Sequence, residues 1–318
     1  YPNNPGKYII FVTDNGGKST PGIEYGIIDM NMNSGLGKVV EKNNPINENV
    51  SFRMAITKHK NNVDYWLFYC EKYSNSHKAH LVDQNGVHLT PVISDIGHTS
   101  VDPIEFWAGM KFSPVGNIYA QLYYFPANLI ELYHFNNETG EISDLITIEG
   151  FDRPYSLEYS PDQTKLYISQ GLQYGNKEVY QLDISVWDKT TIENSKTLIA
   201  TSADYVGALQ MGPDQKIYVV SEDYPFLSAI RQPNLPGTAC DFHQDEVFLN
   251  GRDCNFSLPN FNGSFFNPAD FSFENACSGS EVQFTLTNTF NVQSVSWDFG
   301  DGASTTLSNP SHIYVNPG

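Results

Sequence analysis

One motif occurs three times in the chain, and its spacing constrains the fold more than any other feature. Each copy is a short apolar strand, a turn that contains Pro with Gly, Asn or Asp, and a second strand that ends in Ile-Tyr or Leu-Tyr. The copies lie at residues 110–119, 157–167 and 209–218, with successive prolines about 50 positions apart. Proline fixes φ at the start of the turn, and Gly, Asn or Asp accepts the conformations that follow. Units of this length that cannot bury their own faces are typical of the blades of a β-propeller.

The rest of the chain favours the same architecture. Short strands bounded by Gly, Asn and Asp turns follow one another, and no stretch of a dozen residues has a helical period. We count about five blades, the first incomplete, and residues 256–266 as a candidate strand that closes the ring by sharing a blade between both ends of the chain. The sequence therefore predicts an all-β fold with a six- or seven-bladed β-propeller over residues 1–266.

A boundary is expected near residue 267. Beyond it, residues 281–287 alternate strictly between polar and apolar, and residues 297–302 read Trp-Asp-Phe-Gly-Asp-Gly. An inward Trp followed by a Gly-Asp-Gly hairpin turn is typical of a small β-sandwich. Residues 267–318 are therefore predicted to form part of an immunoglobulin-like sandwich, cut short before its last strands. The residues expected to have structural roles there are Trp297, Asp298, Gly300, Asp301 and Gly302. The two aspartates would hydrogen-bond local backbone, although they could touch a cation.

The charge balance excludes two classes of partner. There are 36 acidic and 18 basic residues, for a net charge of −18. Nucleic acids and anionic membranes both require clustered Lys and Arg, so neither is expected as a partner. There is no apolar run long enough for direct membrane insertion. No signal peptide is visible, so the start is interpreted as an internal cut of a longer or processed chain. The acidic surface is compatible with a secreted protein and with incidental calcium binding, and no other cofactor is predicted.

The four cysteines do not have the spacing of a zinc site. Cys240 and Cys254 bracket a short loop that a disulfide would close in an oxidising compartment, and the alternative is that both remain free. Cys70 follows an apolar run and is expected to be a buried thiol. Cys277 has no assigned partner.

Familiar catalytic motifs are absent, and we predict no catalytic, cofactor-binding or metal-binding residues. Two sets of side chains bear on this prediction. His77, His80 and His88 could converge on one blade edge, but ordinary hydrogen-bonded histidines explain them better. The acidic pairs at residues 222–223 and 245–246 could serve acid–base chemistry at a channel mouth, but most such pairs are solvated turns.

Two resemblances extend this interpretation. Residues 297–302, followed by Asn-Pro-Ser-His-Ile-Tyr at 309–314, resemble the PKD domain. That resemblance implies an extracellular immunoglobulin-like module that acts as a spacer or adhesion unit. Residues 1–266 resemble the propeller that precedes PKD domains in large cell-surface proteins of gliding Bacteroidota. The stretches that carry this second resemblance are 28–30, 35–40, 64–66, 110–114, 159–162 and 258–261.

The propeller resemblance implies export by the type IX secretion system, a link to gliding motility or adhesion, and a location at the cell surface in association with the outer membrane. The main hypothesis is therefore a non-enzymatic adhesion or interaction module, whose propeller binds a protein or glycan. The alternative is a secreted propeller hydrolase for a glycan or lactone, with an accessory PKD domain. It requires side chains from several blades to converge on the central channel. A third hypothesis is a component or cargo of the secretion machinery, with partners there or in the outer membrane.

Overall fold

The computed structural model describes residues 1–13, 22–51, 53–171, 176–202, 206–258, 270–274, 279–288 and 294–314. The chain divides into two compact units, Tyr1–Phe266 and Asn267–Gly318. In these ranges there is one short α-helix, α1 (Lys189–Asn194), and three 3-10 helices, Asn33–Gly35, Pro103–Trp107 and Gly237–Cys240. None of these helices is long and apolar enough to cross a membrane. The predicted all-β fold class is confirmed.

Five antiparallel sheets follow one another along the described part of the first unit. The first contains β1 (Lys7–Thr13), β2 (Ile23–Asp29) and β3 (Lys38–Asn47). The second contains β4 (Ala55–Lys58), β5 (Tyr65–Cys70), β6 (Ser76–Asp83), β7 (Gly86–Val87) and β8 (Val92–Asp95). The third contains β9 (Met110–Phe112), β10 (Ile118–Tyr123), β11 (Leu129–Phe135) and β12 (Ile142–Ile148). The fourth contains β13 (Pro154–Tyr159), β14 (Lys165–Gln170), β15 (Glu178–Asp183) and β16 (Thr197–Thr201). The fifth contains β17 (Val206–Met211), β18 (Ile217–Ser221), β19 (Phe226–Ile230) and β20 (Phe242–Phe248).

The first strands of successive sheets lie side by side. Strand β4 contacts β9, β9 contacts β13, and β13 contacts β17, while later strands of each sheet follow outward in chain order. The three copies of the sequence motif are the hairpins β9–β10, β13–β14 and β17–β18, so they occupy equivalent places. This is the arrangement of propeller blades around an axis, and it confirms the predicted propeller.

Apolar side chains fill the spaces between neighbouring sheets. One cluster, with Phe68, Phe112 and Phe135, joins the second sheet to the third. Three similar clusters join the first sheet to the second, the third to the fourth and the fourth to the fifth. Each sheet therefore depends on its neighbours for the burial of its apolar side chains, as the repeat predicts.

The first sheet differs from the others because part of its surface carries exposed apolar side chains. These include Tyr8, Ile10, Val12 and Val39. At the other end of the unit, the carbonyl of Phe256 accepts a hydrogen bond from the backbone N–H of Ala208 at 2.9 Å, so the chain returns along the inner strand β17. The predicted closing strand at residues 256–266 lies outside the described residues beyond position 258.

The second unit contains a sheet of β21 (Asp270–Glu274), β22 (Glu281–Asn288) and β25 (Ser311–Ile313), and a pair formed by β23 (Trp297–Asp298) and β24 (Ser304–Thr305). The Trp297 indole lies 5.1 Å from the ring of Phe271 between centroids, and its N–H donates to the carbonyl of Leu307 at 2.9 Å. Trp297 is thus built into the unit's small aromatic core.

The turn after Trp297 is held by its two aspartates. The Asp298 carboxylate accepts from the N–H of Gly300 at 2.9 Å, and that of Asp301 accepts from the N–H of Ala303 at 3.0 Å. Gly300 and Gly302 have φ values of 81° and 93°, a region that glycine enters without steric cost. The sequence Asp-Phe-Gly-Asp-Gly therefore forms the turn through local backbone contacts.

Of the two alternatives for Cys240 and Cys254, a disulfide or two free thiols, the structure has the free thiols, so the disulfide is wrong. Cys240 is buried in the core between the fourth and fifth sheets. The Cys254 thiol instead donates to the carbonyl of Phe226 at 3.6 Å. Cys70 is also free and buried, and burial raises its pKa to about 12. Cys277 lies outside the described residues.

Candidate functional site

A cavity of about 360 Å³ lies where the inner strands meet. Its wall includes residues 53–54, 107–111, 155–157 and 208–210, which belong to the inner strands of the second to fifth sheets or directly precede them. Thr13, Ser257 and Leu258 complete the wall. We call this space the axial cavity. A concave site at the centre of a propeller, reached by side chains from several blades, is where a small ligand is expected to bind.

A buried ion pair connects three blades beside the axial cavity. The ammonium of Lys111, which lines the cavity, donates to Oε2 of Glu158 at 2.7 Å and to the carbonyl of Leu209 at 3.4 Å. Oε2 of Glu158 also accepts from the N–H of Met211 at 2.8 Å, and Oε1 accepts from the N–H of Tyr159 at 3.0 Å. The Glu158 side chain is 3% exposed and that of Lys111 is 18% exposed. The carboxylate is therefore occupied by protein donors, whereas the ammonium has a third proton for a ligand.

The repeated motif brings these side chains together. Lys111, Glu158 and Gln210 each stand three residues before the motif proline, in the first, second and third copies. Equivalent positions of neighbouring inner strands meet at the axis, so the three side chains come from matching places in three blades. This site was not predicted from the sequence, although the shared motif position of its three side chains is a signal that could have found it.

Two further side chains shape the cavity wall. Arg53 is buried, and its guanidinium is held by backbone carbonyls of neighbouring strands: Nη1 donates to Leu122 at 2.6 Å and to Ala108 at 3.3 Å. Trp107 lies at the end of a 3-10 helix and is 46% exposed, with its ring 6.0 Å from that of Tyr124. The cavity therefore combines two fixed cations with one exposed aromatic ring.

The histidines considered from the sequence lie elsewhere. His77 and His80 are three residues apart on β6, where odd spacing places side chains on opposite faces. The His77 ring stacks on Phe68, whereas His80 stacks on Tyr69 and shares a 3.0 Å hydrogen bond with its hydroxyl. His88 pairs with a carboxylate at the end of β6. No group of three or more His, Cys, Asp or Glu side chains in the described ranges could hold a metal ion.

The acidic pairs are also remote from the axial cavity. Glu246, on the outermost strand of the fifth sheet, bonds Arg231 at 2.6 Å and Lys216 at 3.0 Å, and these donors lower its pKa to about 2. Its neighbour Asp245 accepts from a tyrosine hydroxyl. The pair at residues 222–223 lies in the turn between β18 and β19. None of these carboxylates lines the axial cavity.

Comparisons with known proteins agree with the family resemblance of the second unit and with the propeller fold of the first. Residues 269–318 match the PKD domain family, which confirms the resemblance of the C-terminal segment. No curated protein sequence matches the chain.

The periplasmic gluconolactonase PpgL of Pseudomonas aeruginosa is similar in structure, with a TM-score of 0.51 and 15% identity over 99% of this chain and 85% of that one. Two proteins provisionally assigned as 6-phosphogluconolactonases are also similar. That of Bacteroides fragilis has a TM-score of 0.43 and 10% identity over 98% of this chain and 97% of that one. That of Bacteroides uniformis has a TM-score of 0.47 and 9% identity over 98% and 85%.

The similarity to the Pseudomonas protein contradicts one prediction. The chain was expected to be non-enzymatic because familiar catalytic motifs are absent, yet the Pseudomonas protein with the same fold is a gluconolactonase. The absence of such motifs therefore does not separate this chain from enzymes of its fold, and the prediction of a non-enzymatic chain is wrong.

Proposed function

We propose that the propeller is an exported hydrolase that opens a sugar lactone in the axial cavity. The observation that carries the proposal is the Lys111 ammonium, fixed in the cavity wall by Glu158 and by the carbonyl of Leu209. The shared fold with a periplasmic gluconolactonase supports both the reaction class and the export.

The cavity suits a ligand of this type. A volume of about 360 Å³ accommodates a single sugar ring. The exposed indole of Trp107 offers a flat apolar surface for the C–H face of that ring. The Lys111 ammonium offers a charged donor for the lactone carbonyl.

The proposed step is hydrolysis of a cyclic ester. A water oxygen bonds to the carbonyl carbon, negative charge develops on the carbonyl oxygen, and the bond from that carbon to the ring oxygen then breaks. The ring oxygen leaves as a hydroxyl after taking a proton from the attacking water, and the product is an aldonate with release of one proton. Lys111 would donate to the developing oxyanion. A donor fixed beforehand in a site with little water is most effective in this role, and loss of one such donor typically costs about 100- to 1,000-fold in kcat.

The test is turnover of D-glucono-1,5-lactone, followed by acid release above the spontaneous rate. Lys111→Met alone would leave the Glu158 charge buried without a partner, so the informative variant is Lys111→Met with Glu158→Gln. We expect this double variant to fold and to lose about 100- to 1,000-fold in kcat. A matched control is Lys165→Met with Asp183→Asn. These changes remove a 3.0 Å ion pair within the fourth sheet, the sheet of Glu158, and neither residue lines the axial cavity. Absence of turnover in the wild type, or equal turnover in the double variant, would overturn the proposal.

A binding role is the second candidate, and the match to the PKD domain favours it because such modules are commonly spacers or adhesion units. Under this proposal the propeller holds a protein or glycan at the cell surface. Export by the type IX system, a link to gliding motility, partners in the secretion machinery or outer membrane, and incidental calcium binding stay predictions. Affinity purification of the native protein, with identification of what accompanies it, tests the partners.

A further inference from the structure

We propose that Gln210 and Ser156 bind hydroxyl groups of the ligand, so that the axial cavity selects a polyhydroxylated lactone over an unsubstituted lactone of the same ring size. The inference deepens the proposed function, on which the identification of the ligand as a lactone rests. Both side chains line the axial cavity, and neither takes part in the proposed hydrolytic step.

The amide oxygen of Gln210 is an open acceptor in the cavity wall. Nε2 of Gln210 donates to the carbonyl of Met211 at 3.3 Å, which ties one end of the amide to β17. Among the described residues no donor bonds Oε1, and this atom is not closed to solvent, unlike the unpaired Nε and Nη2 atoms of Arg53. Gln210 is 8% exposed and lines the axial cavity. A ligand in the cavity can therefore donate a hydrogen bond to Oε1.

Ser156 has a hydroxyl proton beside the same strand. Its oxygen accepts from the N–H of Leu209 at 3.0 Å, and the proton of that hydroxyl has no acceptor among the described residues. The residue is partly exposed and lines the axial cavity. A serine hydroxyl has one proton to donate and rotates to suit its partner, so it can donate to an oxygen of the ligand.

These two side chains and Lys111 meet around one residue of β17. In a strand, the N–H and C=O of one residue point toward the same edge. Ser156 bonds the N–H of Leu209 and Lys111 bonds its carbonyl, so their polar atoms lie along one edge of β17. Gln210 is the next residue of that strand. A ligand whose carbonyl meets the Lys111 ammonium therefore has its ring beside Ser156 and Gln210.

Hydroxyl groups fit these partners better than other substituents do. A hydroxyl both donates and accepts, so one can donate to Oε1 of Gln210 and another can accept from Ser156. An ionised carboxylate has no proton to donate to Oε1. An unsubstituted lactone displaces water from both side chains and gives them no partner, which is the basis on which a site rejects a ligand that lacks a hydroxyl.

The test compares D-glucono-1,5-lactone with δ-valerolactone, a lactone of the same ring size without hydroxyl groups. Acid release is followed for each lactone and divided by its spontaneous rate. We expect the wild type to prefer gluconolactone by at least about 100-fold in kcat/KM. Gln210→Leu removes the acceptor and nearly keeps the side-chain volume, so it should reduce this preference by at least about tenfold. Gln232→Leu, at an exposed glutamine outside the cavity wall, should leave the preference unchanged.

A binding measurement supplies a second readout that needs no turnover. Calorimetric titration of the full chain with 1,5-anhydro-D-glucitol uses a stable ring that has the hydroxyl groups of gluconolactone and no carbonyl. We expect Gln210→Leu and Ser156→Ala each to weaken its binding by at least about tenfold. If Gln210→Leu fails to fold, Ser156→Ala and the preference of the wild type still decide.

The outcomes separate the two proposals. Equal turnover of both lactones by the wild type, or an unchanged preference in Gln210→Leu, refutes the inference and leaves the hydrolase standing. Binding of 1,5-anhydro-D-glucitol that depends on Gln210, without turnover of any lactone, ends the hydrolase proposal alone.

Discussion

His77 is a buried imidazole that resists protonation. Its side chain is 1% exposed, stacks on Phe68 at 5.6 Å, and contacts the carbonyl of Asn75 through Nδ1 at 3.2 Å. Burial lowers the pKa of His77 to about 4, because the charged ring would lose its hydration. In the unfolded chain the same group titrates near 6.5. Between these values the unfolded state binds a proton that the folded state does not, so His77 makes the protein less stable as the pH falls from 6.5 to 4.

This predicts a specific effect of His77→Phe. The wild type should lose roughly 2–3 kcal/mol of unfolding free energy between pH 7 and pH 4.5 because of this one group, and the variant should lack that share of the loss. Urea unfolding of both proteins at the two pH values measures it. Equal losses in the two proteins would show that His77 is not the group responsible. His88→Gln, at a half-exposed histidine, is the control.

The inner hairpins are the elements that the sequence predicts best, because their chemistry is local. In the fourth sheet the hydroxyl of Ser160 accepts from the N–H of Lys165 at 2.9 Å and donates to Asp162 at 2.6 Å, which fastens the two strands beside the motif proline. Ser113 makes the corresponding contact with the N–H of Ile118 at 3.2 Å. The bond between Lys111 and Glu158 was not predictable in this way. It depends on which inner strands become neighbours, and that is decided by packing between blades.

The turn contacts lead to a prediction for Ser160→Ala. Ser160 is fully buried, so the variant leaves the N–H of Lys165 without its hydroxyl acceptor. We expect the unfolding free energy to fall by roughly 1–3 kcal/mol, as measured by chemical denaturation. Ser143→Ala, at an exposed serine, should change it by less than about 0.5 kcal/mol. If the two variants have the same stability, the turn hydroxyl does not stabilise the blade.

Across the whole molecule, repetition in the sequence was sufficient to predict a propeller, and the alternation of residues 281–287 with the turn at 297–302 was sufficient to predict a sandwich. The site depends on contacts between blades and required the structure. Cys240 and Cys254 are close in sequence, yet one lies in a core between sheets and the other bonds the carbonyl of Phe226, so spacing alone could not decide between a disulfide and two free thiols. The exposed face of the first sheet was not apparent from the sequence either. Apolar side chains lie on both faces of β1, and a cavity of about 530 Å³ lies along the exposed face.

That face predicts how the isolated chain behaves in solution. A contiguous apolar surface should bind the dye anilinonaphthalene sulfonate and promote concentration-dependent association. Ile10→Thr with Val39→Thr should lower both the dye fluorescence and the light scattering, with little change in the unfolding midpoint, because both side chains are exposed. Val186→Thr, at an exposed site in another sheet's loop, should leave the dye signal unchanged. Unaltered fluorescence in the double variant would contradict the assignment of this face.

The three motif copies hold lysine, glutamate and glutamine at one matching position, and this gives the hub a polarity that its architecture lacks. Blades with the same side chain at this position would offer a bound ligand several equivalent orientations. Because one blade has a cation, the next its counter-ion and the third a neutral amide, those orientations differ in energy. A ligand at the propeller axis therefore has a preferred orientation, in which its faces are no longer equivalent.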